Sequence, residues 1–239
     1  MSIGLKKIIE LFDNANVCVT GLRGKGKDML MANVVTRRNL PYVANIDYTD
    51  DYIPFELSNF DCGKNDYRNF INGEIKPYKF PYDDGTDLYI SDVGVYFPSQ
   101  YCNELNRDYK YFPTFMALSR QIGECNVHIN VQNLNRAWDK IREQSDTYIR
   151  CTFCKVIFGY VFQVVIVYDL YDSCVQRVKP FRVTAPLLAS KEMRLEVDME
   201  RERYEQKFGM VQSKLLIYKN KSSYNTREFK NKLENGTEM

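Results

Sequence analysis

The residues best suited to chemistry lie early in the chain. Gly21-Leu22-Arg23-Gly24-Lys25-Gly26-Lys27-Asp28 places three glycines and two lysines after the β-branched run Val17–Thr20 and before the helix-like segment that opens at Met29. In such a strand–loop–helix setting, the spacing G-x4-G-K lets successive backbone N–H groups turn inward around an anion. The helix N-terminus adds partial positive charge. That chemistry is phosphate binding. Gly21, Leu22, Arg23, Gly24, Lys25, Gly26, Lys27, Asp28 and Met29 form the candidate cradle, with Lys27 reaching the β- and γ-phosphates of a nucleotide. Asp28 breaks the pattern, because a Ser or Thr hydroxyl normally helps hold Mg²⁺ at that position. A carboxylate there can ligate the metal, yet it also repels the phosphates.

A second acid follows at a telling distance. Thr86-Asp87-Leu88-Tyr89-Ile90-Ser91-Asp92 reads as an apolar strand delivering Asp92, the form of a Walker B strand that brings one carboxylate to the nucleotide's metal. Asp28 and Asp92 are therefore the candidate metal ligands. The glutamate that usually follows such an acid is absent, since Val93 and Gly94 come next. A further apolar run, Cys125 to Val131, ends at Gln132. His128 is the single histidine and lies inside that run, so no triad or histidine metal site can be built on it; it reads as a core residue. The seven cysteines are odd in number and scattered, and Cys151-x-x-Cys154 has no second pair, which favours buried thiols over zinc or redox chemistry.

These residues need elements to position them. Apolar spacing over 3–12 predicts a short amphipathic helix before the first strand. The loop helix should end near Arg37–Asn39, with a second strand over 40–46. Residues 47–85 read as loops with one or two short helices around 55–72. A helix over 99–122, interrupted near Pro113, precedes the strand ending at Gln132, and 134–145 reads as a polar helix or turn. Tyr148–Phe158 and Tyr160–Tyr171 read as a hairpin joined at Gly159. A strongly charged helix over 191–208, closed by Gly209, leads to a Lys/Asn/Glu-rich tail from Lys219. The fold class is α/β, divided into a nucleotide-binding domain over 1–189 and a charged helix and tail over 190–239.

At 239 residues the chain can bury one sizeable core, and a net charge of +2 gives no global field that would announce a nucleic-acid or membrane partner. The longest apolar run, Val161–Leu170, is interrupted by Gln163 and Asp169 and is too short to span a bilayer. The N-terminus lacks the apolar core and cleavage site of a signal peptide. The expected location is cytoplasmic.

Four landmarks stand in order: the Gly-rich loop, a strand ending in Asn45 (Tyr-Val-Ala-Asn-Ile-Asp), the acid-ending strand (Ile-Ser-Asp-Val-Gly-Val-Tyr-Phe-Pro-Ser), and Ala-Leu-Ser-Arg120-Gln-Ile-Gly before a strand ending in Gln132. Over roughly residues 16–172 this set resembles the zonular occludens toxin-like ATPases, the group containing the assembly ATPase of filamentous phages, within the FtsK/HerA-type DNA-pumping motors. The resemblance implies a RecA-like (ASCE-type) sheet flanked by helices, ATP and Mg²⁺ at the loop, and ring-shaped homo-oligomers. It implies catalytic roles for Lys27 and Asp92, a polar sensor at Gln132, and a trans-acting arginine among Arg142, Arg136 and Arg120. Double-stranded viral DNA is the implied partner, with a portal or capsid protein as a further one. The DNA-contacting loop stays unassigned, with the Lys and Arg of 101–110 as candidates. The chain departs from the family at Asp28, at Val93 (leaving Asp92 or a carboxylate such as Glu104 as base), and in lacking the family's membrane span. A soluble version suits packaging into a preformed capsid.

Two other readings stay open. Gly-x4-Gly-Lys-Asp also resembles the loops of some deoxynucleoside monophosphate kinases, although no Arg-x-x-x-Arg lid is evident. The absent glutamate alternatively suits a nucleotide-binding scaffold that does not hydrolyse ATP.

Overall fold

The computed structural model describes residues 4–49, 52–56, 82–101, 111–168, 180–181, 183–208 and 211–222. The helices expected within 57–72, Glu104, the basic residues of 102–110, Cys62, Cys102, Cys174, Gly209 and the tail beyond 222 lie outside them.

Short apolar runs build the centre of an eight-stranded sheet that helices cover on both faces. Its strands are β1 (Val17–Thr20), β2 (Tyr42–Ala44), β3 (Ile53–Pro54), β4 (Asp87–Ile90), β5 (Val127–Val131), β6 (Thr147–Ile157), β7 (Tyr160–Tyr168) and β8 (Val211–Lys219), in the order β3-β2-β4-β5-β1-β6-β7-β8. The pairs from β3 through β6 are parallel, while β7 and β8 run antiparallel. β1, β2, β4 and β5 are buried along their whole length, as expected of parallel strands with helices on both faces. The strand ending at Gln132 lies between the loop strand β1 and the acid-ending strand β4, the arrangement of the RecA-like sheet.

Helices α1 (Leu5–Asn14) and α2 (Lys27–Arg38) cover one face. There Leu5, Ile8, Phe12, Leu30, Met31 and Val34 pack on Val17, Val19, Tyr89 and Ile149. The other face packs Cys18, Leu88, Ile90, Ile129 and Tyr148 under α3 (Val93–Tyr96), α4 (Tyr111–Ile122) and α5 (Asp139–Arg142), through Val93, Phe112, Phe115, Met116, Trp138 and Ile141. Pro113 falls in the first turn of α4, where no helical hydrogen bond is lost. The long arm of β6 and β7 closes at Phe158–Gly159, as the hairpin expectation required.

The C-terminal segment differs from expectation. Helix α6 (Lys191–Phe208) is almost wholly exposed, a solvated helix. The segment after it, however, is not only tail: β8 pairs along its length with β7 and buries Leu216 and Tyr218 in the main core. Residues 190–239 therefore include an edge strand of the nucleotide-domain sheet. Strand alternation in Val211–Lys219 was masked by the polar run around it.

Candidate functional site

Parallel strands present their C-terminal ends along one edge, and the crevice there is where open α/β sheets bind ligands. The Gly-rich loop leaves β1 at that edge. Gly26, with φ +82°, caps α2, and a Cβ on it would stand 2.6 Å from the Cβ and Sγ of Cys154. Gly21 lies so close to the Cys151 carbonyl that no side chain fits. The loop thus rests on β6, where a bulge between Cys151 and Phe153 shifts the register.

Gln163, on β7, locks this seat. It is fully buried; its amide donates to the Gly26 carbonyl at 2.9 Å, and its Oε1 accepts the Tyr218 hydroxyl at 2.9 Å. Sequence reasoning noted Gln163 only as an interruption of an apolar run. That interruption was the usable signal, because a polar residue on an inward strand position requires partners. Burial pushes the Cys151 and Cys154 thiols up from their ordinary value, so neither is a ready thiolate.

Lys27 opens α2 with 5% of its surface exposed. It forms no hydrogen bond or ion pair with any described residue. Beside it, the Asp28 Oδ1 accepts hydrogen bonds from the Ser91 Oγ at 2.8 Å and the Asn130 Nδ2 at 2.7 Å. Asn130 also donates to the Ser91 Oγ at 2.9 Å, and its Oδ1 accepts the Asp92 N–H at 2.7 Å. Asn45, the landmark of the second strand, clamps the Ser91 peptide: it accepts from the N–H at 2.7 Å and donates to the carbonyl at 2.8 Å. Two asparagines on neighbouring strands therefore fix the turn that carries Ser91 and Asp92.

Strand β4 ends at Ile90, so Asp92 lies beyond it. Asp92 caps α3 in a left-handed conformation, φ +46°. Its carboxyl is held above the usual range by burial and by the neighbouring charge of Asp28, with Lys27 opposing. Gln132 follows β5 at the same edge and is half-buried. The structure thus brings Lys27, Asp28, Asp92 and Gln132 to one edge, and adds Ser91, Asn130 and Gln163 to them.

The three arginines divide. Arg136 is exposed in the turn after β5, its backbone against Gly94 beside the Asp92 turn. Arg142 ends α5 with its Nε buried and unpaired; its carbonyl accepts the Tyr148 hydroxyl. Arg120 lies at the opposite edge, where β1, β5 and β6 begin, bonded to the Asn126 Oδ1 at 3.1 Å and the Asn14 carbonyl, and paired with Asp146 at 3.4 Å. It is not brought to the loop.

His128 is a core residue. Its ring is fully buried between those of Phe12 and Tyr89, with centroids 4.8 and 4.7 Å away, and it faces Asp87 at 3.7 Å.

No protein-family model and no curated protein matches the chain. Among solved structures it is similar to the N-terminal domain of zonular occludens toxin from Neisseria meningitidis, at 12% identity and TM-score 0.42 over 68% of this chain and 88% of that one. It is also similar to the genome packaging NTPase B204 from Sulfolobus turreted icosahedral virus 2 in complex with AMPPCP, at 13% identity and TM-score 0.41 over 66% of this chain and 93% of that one. A third is EssC (ATPases 2 and 3) from Geobacillus thermodenitrificans, at 14% identity and TM-score 0.37 over 82% of this chain and 44% of that one. The kinds of protein that the sequence resembles thus stand among the similar structures. No helix among the described residues is long and apolar enough to cross a membrane.

Proposed function

We propose that this chain is an ATP-hydrolysing DNA motor of the viral packaging type, working as a homo-oligomeric ring. The observation that carries the reading is Lys27, a nine-tenths buried cation with no partner among the described residues, set in a Gly-rich loop at the start of a helix. The Asp92 carboxylate lies near enough to interact with this charge, but no described group pairs with it at contact distance, and a triphosphate would supply such a pair. The loop N–H groups and Lys27 would hold the phosphates, and Asp28 and Ser91 would line the place of an accompanying Mg²⁺. A bound Mg²⁺·ATP would supply the transferable phosphoryl group and neutralise part of the phosphate charge.

The remaining residues orient and polarise. The Asp92 carboxylate, at the turn beside Lys27 and Asp28, is the group suited to take a proton from water, and the Gln132 amide is suited to orient it. Arg136 has the exposure at the site edge that acting on a neighbouring subunit requires, and such an arginine stabilises charge rather than forming bonds. The order of Asn45, Asp92, Gln132 and the following arginines favours the motor over a kinase.

The test is phosphate release with and without double-stranded DNA, and separately with nucleoside monophosphates. Stimulation by DNA, abolished by Lys27→Ala, is expected. ADP formation that requires a monophosphate acceptor would overturn the motor, and ATP binding without turnover would make the chain a scaffold. Ring formation is checked by sizing the protein with and without ATP.

A further inference from the structure

We infer that this chain has exchanged the two groups that hold the nucleotide's metal: the loop supplies the carboxylate, Asp28, and the strand end supplies the hydroxyl, Ser91. P-loop NTPases ordinarily place a Ser or Thr in the loop and an Asp on the strand. The inference rests on the nucleotide reading above and assigns the metal site within it.

Three observations carry it. First, Ser91, not Asp92, hydrogen-bonds the loop acid, although the Asp92 carboxylate also lies near Asp28 and Lys27. β4 ends at Ile90, and the next side chain hydrogen-bonds Asp28 at 2.8 Å. A hydroxyl and a carboxylate in contact across loop and strand are the usual pair with its members reversed.

Second, the pair is built into the fold. The fully buried Asn130 donates to both members, at 2.7 Å to Asp28 and 2.9 Å to Ser91, and Asn45 fixes the Ser91 peptide from the next strand. Both contacts to Asp28 use Oδ1. Its Oδ2 accepts no hydrogen bond from a described residue, which leaves one carboxylate oxygen for a cation.

Third, the adjacent Lys27 is buried and makes no hydrogen bond or contact ion pair with a described residue, which suits it to an anionic ligand beside the metal. Magnesium is commonly held by one or two carboxylates together with substrate phosphates.

The exchange also moves the strand motif back by one position. Asp92 becomes the residue immediately after the metal-holding group, and Val93 no longer marks a lost acid. The departures at Asp28 and Val93 then have one cause.

The test is equilibrium binding of ATPγS to the full chain, with Mg²⁺ and with EDTA, alongside thermal melting. The wild type should bind more tightly with Mg²⁺. Asp28→Asn keeps an oxygen facing Ser91 and Asn130 but removes the charge; it should lose about tenfold or more of the Mg²⁺ enhancement. Its binding in EDTA should be no weaker than that of the wild type. Asp28→Ser should lose the enhancement similarly, and the double variant Asp28→Ser/Ser91→Asp should regain most of it. The exchange is overturned if Asp28→Asn keeps the full enhancement, which decides the matter even where the double variant does not fold. It is equally overturned if a double variant that melts like the wild type binds Mg²⁺·ATPγS no better than Asp28→Ser. Wild-type protein that binds no ATPγS in either condition would refute the nucleotide reading itself.

Discussion

At the scale of single residues, the site is held by polar groups that the fold has buried and fully occupied, around one cation that it has not. Gln163 shows how the occupied groups work. Its two hydrogen bonds run from the loop carbonyl of Gly26 to the hydroxyl of Tyr218, so one side chain joins the Gly-rich loop to the edge of the sheet. Replacing it with Leu strands the Tyr218 hydroxyl in the core. An unsatisfied buried group of this kind costs about 1–3 kcal/mol, and urea denaturation of Gln163→Leu should show a loss of that order. Adding Tyr218→Phe removes the stranded group, so the double variant should recover part of the loss. Strictly additive losses would show that the two side chains do not interact.

Among elements, β8 carries the largest revision. The segment between the charged helix and the tail from Lys219, given no strand in the sequence reading, supplies the outer antiparallel strand, with Leu216 fully buried over the face that α1 and α2 cover. Leu216→Ala should cost about 2–5 kcal/mol, as expected for a core leucine, and melting would barely move if the strand were only an appendage. The parallel strands were legible in the sequence because burial on both faces writes them as short apolar runs, and the Gly-rich loop because its backbone conformation demands glycine. Residue-level geometry was less legible. Asp92 reads as the end of its strand, but the strand stops at Ile90, and the side chain that meets Asp28 is the unremarked Ser91. Asn130 and Gln163 were hidden for a related reason: their meaning lies in partners from distant segments, which spacing along one strand does not reveal.

For the whole molecule, acid stability is set where β4, β5, α2 and α1 meet. Burial holds the His128 ring below its ordinary 6.5 against the pull of Asp87, with Arg38 also disfavouring the charge and Asp13 nearby. The folded ring thus takes up a proton only at lower pH than the unfolded chain, which does so near 6.5. Stability should therefore fall as pH drops below 6.5, and His128→Gln should flatten that decline in denaturation curves. Asp87 works lower on the scale. Burial opposes its charge, but His128, Arg38 and the Asn126 N–H hold its carboxyl below the ordinary 3.8, so its contribution is lost only as pH falls through that lowered value.

The same molecule-wide arrangement gathers Asn45, Asp92, Gln132 and the loop at one edge of the sheet, around the unpaired Lys27. Calorimetric titration of ATP into the wild type and Lys27→Met, with melting of both unliganded proteins, tests that claim most directly. A hydrogen bond to a charged group contributes about 1.5–3 kcal/mol, so the variant should bind ATP about tenfold to a hundredfold more weakly. Its own melting should change little, since Lys27 makes no hydrogen bond or contact ion pair with a described residue and only its longer-range attraction to Asp92 is lost. Equal ATP affinity in the two proteins, or a marked fall in the melting temperature of the variant, would contradict the assignment of Lys27 as the cation that awaits the nucleotide's phosphates.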